Sequence, residues 1–266
     1  MSAQLPQAFV ERMAARLKDE LPAFLRSYEE PYCRGIRFQP GKPLPPAAWP
    51  AGVGEQIPWE PAARYLAMES DAGTMVLHEA GGWYLQEPSA MAPVAALNPQ
   101  PGERVLDLCA APGGKSTQIA AHLGGKGLLV SNEPVPKRAA VLSRNLERMG
   151  VTNALAVSAY PDQLAAQWPA YFDAVLVDAP CSGEGMFRRH PETREEWSPE
   201  APAGCAKRQR EILAAAARLV RPGGRMVYST CTLNTMENEE NISWFLREHS
   251  DFSVCPFQLP GVDGTA

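Results

Sequence analysis

The chain has 266 residues, 45% apolar and 21% charged, which is the make-up of a globular protein with one sizeable α/β domain and a smaller companion. No apolar run approaches the ~18 residues of a membrane-spanning helix. Residues 1–20 also lack the basic-then-apolar layout of a secretory leader, so a cytoplasmic protein away from membranes is expected.

Residues 1–90 read as a small α+β domain. Leu5 to Leu25 carries apolar residues at helical spacing (Phe9, Val10, Met13, Leu17, Leu21), and Pro22 interrupts the pattern. From Pro40 to Pro61 the proline content predicts a surface loop without regular structure. Thr74 to Leu77 and Gly82 to Gln86 read as short strands. Beyond Pro101 strands and helices alternate. Strands are predicted at 104–108, 128–132, 154–157, 173–178 and 225–230, with helices over 115–123, 134–149 and 206–220. Asn234, with Glu237 three residues on, reads as a capping box for a helix running to about His249. Such alternation predicts a doubly wound, mostly parallel sheet covered on both faces, over residues 91–266.

Charge does not exclude a nucleic-acid partner. Thr232 to Ala266 holds six acidic residues and one basic residue, leaving 24 of each sign elsewhere. A neutral body of this kind can carry a basic groove. The six cysteines, at 33, 109, 181, 205, 231 and 255, include no C-x-x-C pair, so neither a zinc site nor a thioredoxin-like site has sequence support and no metal is expected. Taken singly, a free Cys is most often a small buried hydrophobe.

In doubly wound sheets ligands bind beyond the carboxyl ends of the strands. The first strand runs into Cys109, Ala110, Ala111, Pro112, Gly113, Gly114, Lys115, Ser116 and Thr117. Its glycines allow close backbone approach, and the following helix presents unpaired N–H groups. Glu133 stands 20 residues after Gly113, about the spacing at which an acid grips ribose hydroxyls. The loop lacks G-x-G-x-x-G. It shares Gly-Lys-Ser with a P-loop but has Cys109 where that motif demands glycine, which leaves an ATPase as a weak rival.

Two further cysteines leave neighbouring strands, in Asp178-Ala-Pro-Cys-Ser-Gly183 and Ser229-Thr-Cys-Thr232. With the usual strand order 3-2-1-4-5, Cys181 and Cys231 project over the same edge of the sheet. Sequence alone leaves open which of them is a nucleophile.

These segments, with Leu106 to Thr117 and Tyr228 to Asn234, resemble the motifs of the RNA cytosine carbon-5 methyltransferases, the Nol1/Nop2/Sun family. Gln86 to Met91, Gly183 to Phe187 and the acidic, Asn-rich run after Asn234 are similar to its bacterial ribosomal-RNA branch, the RsmF type. The resemblance covers roughly residues 24 to 250. It implies S-adenosylmethionine as cofactor, RNA as partner (small-subunit ribosomal RNA above all) and a Rossmann-like methyltransferase fold with an RNA-binding domain over residues 1–90. It also implies that Cys231 attacks carbon-6 of cytosine and that Cys181 assists product release, with Asp178 and Lys115 holding the base and its developing charge. Residues 109–115, Glu133, Arg138 and Asp178 are implied to hold the cofactor. The chemistry suits a thiol, a good nucleophile and a tolerable leaving group.

Where relatives often carry an Asp or Asn near the adenine, this chain has Ser158, Ala159 and Tyr160, with Asp162 read as a helix cap. Arg188, Arg189, Arg194, Lys207, Arg208 and Arg210 are candidates to meet phosphates. Lys137, Arg138, Arg144 and Arg148 read as a solvated helix face. Among rival classes, a zinc-dependent deaminase needs P-C-x-x-C, and Glu184 occupies the position of its second cysteine. A non-catalytic RNA-binding relative would keep the same residues. The chain is expected to act as a monomer. Phe252 to Phe257 reads as a last strand, and further sheet and RNA-binding elements are expected beyond residue 266.

Overall fold

The computed structural model describes residues 4–262. It opens with α1 (Gln7–Leu17) and α2 (Leu21–Arg26), joined by a short 3-10 turn. The break falls at Lys18, whose φ is 47°, and not at Pro22. Pro22 instead sits in the first turn of α2, where its missing N–H costs nothing.

A four-stranded antiparallel sheet follows, formed by β1 (Arg34–Phe38), β2 (Val53–Gln56), β3 (Ala63–Leu66) and β4 (Trp83–Leu85) in the order β2-β3-β1-β4. Ile36, Leu66, Ala72 and Trp83 form its buried core. Three sequence expectations fail here. The proline-rich stretch supplies β2, a one-sided edge strand. The helix α3 (Val76–Glu79) lies where Thr74–Leu77 was read as a strand. And β1 and β3 went unread.

The second sheet contains β5 (Arg104–Asp107), β6 (Leu128–Asn132), β7 (Ala154–Val157), β8 (Phe172–Asp178) and β9 (Val220–Ser229). The helices of this part of the chain are α4 (Pro88–Leu97), α5 (Gly114–Leu123), α6 (Pro136–Arg148), α7 (Pro161–Gln167), α8 (Thr193–Glu196), α9 (Ala201–Leu219) and α10 (Glu239–Glu248). The order of the sheet, β7-β6-β5-β8-β9, is the 3-2-1-4-5 order expected, and β5 pairs parallel with both β6 and β8. Parallel strands buried on both faces read as near-continuous apolar runs, which is why they were legible. Val105, Leu129, Ala174 and Leu176 pack with Ile119, Leu123, Leu142 and Leu146 into one core. Strand β9 begins at Val220, five residues before the strand expected at 225–230. The described part of the expected last strand, Phe252–Phe257, is irregular.

By internal contacts the chain forms two compact units. One comprises Met1–Tyr32, Ala179–Glu211 and Ser229–Phe252, the other Cys33–Asp178, Ile212–Tyr228 and Ser253–Ala266. The first has its own core, in which Phe9, Met13 and Phe187 are buried among Phe24, Tyr28, Trp197 and Leu233. Among the described residues no helix is long and apolar enough to cross a membrane.

Candidate active site

In the larger unit, the loop after β5 is held from beneath by Asp107. Its carboxylate is fully buried, Oδ2 accepts a bond from Ser116 Oγ at 2.7 Å, and Oδ1 has no hydrogen-bond partner among the described residues. Burial pushes its pKa up to about 7, the nearby Asp178 charge adds to this, and the bonds from Ser116 and the Cys109 backbone oppose it. The Cys109 thiol is also raised, by burial first and then by the Asp107, Asp178 and Glu133 charges, so it stays a neutral wall of the loop.

Gly113 caps α5 with φ 113°, a left-handed value that favours glycine, and a Cβ there would lie 3.2 Å from Leu142 Cδ1. A Cβ on Gly114 would lie 3.2 Å from the Tyr84 ring. The two glycines therefore let the loop pack closely on its neighbours, in addition to leaving its backbone open.

Sequence reasoning missed Arg37. It is fully buried on β1, donating to Thr117 Oγ1 at 2.7 Å, to the Gly114 carbonyl at 3.1 Å and to Gln86 Oε1 at 3.1 Å. Burial lowers its pKa to about 10, with the Glu60 charge opposing. A lone Arg in a short strand gives no sequence signal of burial.

Glu133 is buried just beyond β6. Its Oε1 accepts from Val135 N at 3.0 Å, and Oε2 lies 3.2 Å from Arg138 Nη1. Arg138 Nη2 reaches the Ala111 carbonyl at 3.3 Å, so this arginine joins the acid to the loop. Lys115, on the first turn of α5, pairs with Asp178 at the end of β8 at 2.7 Å. Asp107, Glu133 and Asp178 thus stand at or just past the carboxyl ends of three neighbouring strands, with Lys115 and Arg138 as the cations among them. With Glu133 and Asp178 each paired to a cation, the charge left over at this mouth is that of Asp107 when ionised, which suits a ligand bearing positive charge better than a polyphosphate.

Further along, the Ala159 amide donates to Asn132 Oδ1 at 3.1 Å. Tyr160 is the N-cap of α7. Asp162 lies inside the first turn, 3.7 Å from Arg218, so the cap expected of Asp162 is corrected.

In the smaller unit, Cys181 Sγ and Cys231 Sγ are 3.1 Å apart as free thiols, with Cys231 the more exposed. The Cys231 amide donates to Cys181 Sγ at 3.3 Å. The hydrogen bond to Cys231, followed by burial, pushes the Cys181 thiol strongly up. Gly185 N donates to the Cys231 carbonyl at 2.8 Å, and a Cβ on Gly185 would approach that oxygen to 2.7 Å. Glycine is required there.

Several of the arginines expected to meet phosphates touch protein groups. Arg188 donates to the Glu30 carbonyl, Arg194 to the Phe187 carbonyl and Arg210 to Asn241 Oδ1, while Arg189 lies over the Tyr32 ring. Lys207 and Arg208 are exposed. Among the described residues no group of three His, Cys, Asp or Glu is arranged to hold a metal ion.

Residues 94–266 match the family described as 16S rRNA methyltransferase RsmB/F, and residues 5–88 match the N-terminal domain of 16S rRNA methyltransferase RsmF. Ribosomal RNA small subunit methyltransferase F of Klebsiella pneumoniae (strain 342) is 38% identical over 261 residues, covering 92% of this chain and 54% of that protein. The chain therefore spans about half the length of the curated relatives it matches. The crystal structure of PH0851 is 30% identical with a TM-score of 0.87, over 98% of this chain and 60% of that one. A methyltransferase homologue from Pyrococcus horikoshii is 25% identical with a TM-score of 0.74, over 91% and 83%. With residues 94–266, well over half of its length, matched to one family, the chain belongs to the 16S rRNA methyltransferase RsmB/F family.

Proposed function

We propose that this chain transfers a methyl group from S-adenosylmethionine to carbon-5 of a cytosine in small-subunit ribosomal RNA, through a covalent bond between Cys231 and the base. The observation that carries this reading is the pair of free thiols 3.1 Å apart, one following β9 and the other three residues after Asp178 at the end of β8. Carbon-5 of cytosine is a poor nucleophile. Addition of the Cys231 thiolate to carbon-6 ends the ring's conjugation and places an electron pair on carbon-5. The bound cofactor supplies the methyl group that carbon-5 takes.

Cys181 then has a reason to change state. Its thiol is held up first by the sulfur of Cys231 and then by burial, and the first of these restraints is lifted once that sulfur is a thioether. Cys181 then releases its proton to solvent, its thiolate takes the carbon-5 proton, and the electron pair of that C–H bond re-forms the ring double bond as the Cys231–carbon-6 bond breaks. Lys115 and Asp178 hold the base and its developing charge. Residues 109–115, with Glu133 and Arg138, bind the cofactor. The residues fit it: among the described residues buried Asp107 Oδ1 lacks a partner, and the ionised Asp107 carboxylate would favour a cationic ligand. Mass-spectrometric mapping of 5-methylcytosine in 16S RNA incubated with the protein and S-adenosylmethionine tests the reading. RNA left unmodified by fully folded protein would overturn it.

Cofactor choice is tested separately. Calorimetry is expected to show S-adenosylmethionine binding and no ATP binding, and Glu133→Ala should weaken the former by about 1–3 kcal/mol through lost hydrogen bonds. ATP binding tighter than the sulfonium would remove the cofactor assignment.

A further inference from the structure

Glu237 is fully buried, yet it does not fold back onto the Asn234 amide as a capping box requires. Asn234 caps the short 3-10 turn Thr235–Glu237 alone, accepting from Met236 N at 3.0 Å. The Glu237 carboxylate instead accepts from Ser182 N at 2.9 Å, from Ser182 Oγ, and from Gln209 Nε2 at 2.9 Å. Gln209 also donates to the Pro180 carbonyl at 3.0 Å, so the residues on both sides of Cys181 are tied to one acid. Ser182 Oγ lies 2.9 Å from Thr232 Oγ1, which joins this assembly to the residue after Cys231. Asn241, on α10, fixes Gln209 by donating to its Oε1 at 2.8 Å.

A buried carboxylate persists only when donors compensate its desolvation, and these three donors all belong to, or grip, the loop that carries Cys181. We propose that Glu237 is the positioning residue that sets the separation of the two cysteine thiols, acting through Ser182, Gln209 and Thr232. The bonds on either side of Cys181 leave its backbone little freedom, and the Ser182–Thr232 link fixes it against the segment carrying Cys231. The role in catalysis rests on the function proposed above; the role in holding the thiols does not.

Thiol proximity can be read without any RNA. Diamide takes the two thiol hydrogens, becoming the hydrazine, and joins the sulfurs only if they meet. In the full chain, Glu237→Gln keeps the side-chain volume but turns an amide N–H2 toward donors. It should slow diamide-driven Cys181–Cys231 disulfide formation at least tenfold, followed by mass spectrometry without reductant. Alkylation of Cys231 by iodoacetamide should stay within threefold of wild type. For methyl transfer, kcat should fall at least tenfold while KM for S-adenosylmethionine changes less than twofold. A purely structural role would lower thermal stability and leave the disulfide rate of the folded protein unchanged. Should Glu237→Gln fail to fold, Ser182→Ala with Thr232→Val, which leaves the acid in place, decides the matter through a disulfide rate reduced at least threefold. A wild-type disulfide rate in whichever variant folds overturns the proposal. Slowed disulfide formation in a protein whose wild type transfers no methyl group would overturn the functional reading and leave the positioning role standing.

Discussion

Cys231→Ala is expected to lower methyl transfer by at least about 10³-fold and to leave no covalent complex with RNA, as loss of a nucleophile does in enzymes that proceed through a covalent intermediate. Cys181→Ala should also fail to turn over, but with the opposite signature: protein joined to RNA should accumulate. The asymmetry follows from order. Removing the attacking thiol closes entry to the covalent state, and removing the group that takes the carbon-5 proton closes the exit. The geometry supports this order, because Cys231 is the more exposed sulfur. A denaturing gel of labelled RNA with protein and S-adenosylmethionine separates the two states. An adduct with Cys231→Ala and none with Cys181→Ala reverses the assignment. Normal methylation by both variants removes thiol catalysis from the account.

Those two cysteines were legible because each follows an apolar strand, and the strand order is set by a fold whose parallel strands are buried on both faces. The same rule explains what was not legible. Strands β1 and β3 each carry an arginine and pair in an antiparallel sheet, so neither shows a clean apolar run. Arg37 reads as a surface charge and lies at zero exposure, its donors consumed by Thr117, Gly114 and Gln86 across 77 to 80 residues of chain for the first two. Glu237 shows the limit most directly. The pattern Asn-x-x-Glu is local and predicts a local bond, but the donors that win are Ser182 and Gln209, 55 and 28 residues away. Spacing carries information about neighbours on one element. It carries none about a partner brought in by the topology. Arg188, Arg194 and Arg210 likewise each find a protein acceptor that sequence could not place.

Asp107→Asn should make the ligand-free protein more stable at pH 8 than wild type, and should flatten the dependence of stability on pH. The folded-state pKa of Asp107, about 7, lies above its ordinary value of 3.8 because the carboxylate is fully buried and faces Asp178. For a group raised in this way, the stability it permits is fully present below its unfolded value. That stability is lost as pH rises through the folded value, because the native state must then hold a buried charge. Across pH 4 to 7 the loss is on the order of 4 kcal/mol, at 1.36 kcal/mol for each pKa unit. Asparagine resembles the protonated acid and cannot ionise, and Ser116 Oγ retains a carbonyl oxygen to donate to. The ligand reverses the sign. A cationic cofactor near the orphaned Oδ1 favours the ionised carboxylate, so wild-type affinity should rise between pH 6 and 8, while that of Asp107→Asn should be weaker at pH 8 and nearly flat. Thermal unfolding with and without S-adenosylmethionine over pH 5–8 measures both limbs. Parallel curves for the two proteins in the absence of ligand would show that Asp107 is ionised throughout. A ligand-induced stabilisation with the same pH dependence in both proteins would mean that the carboxylate destabilises the fold without serving the cofactor, leaving Glu133 and Asp178 to carry that contact.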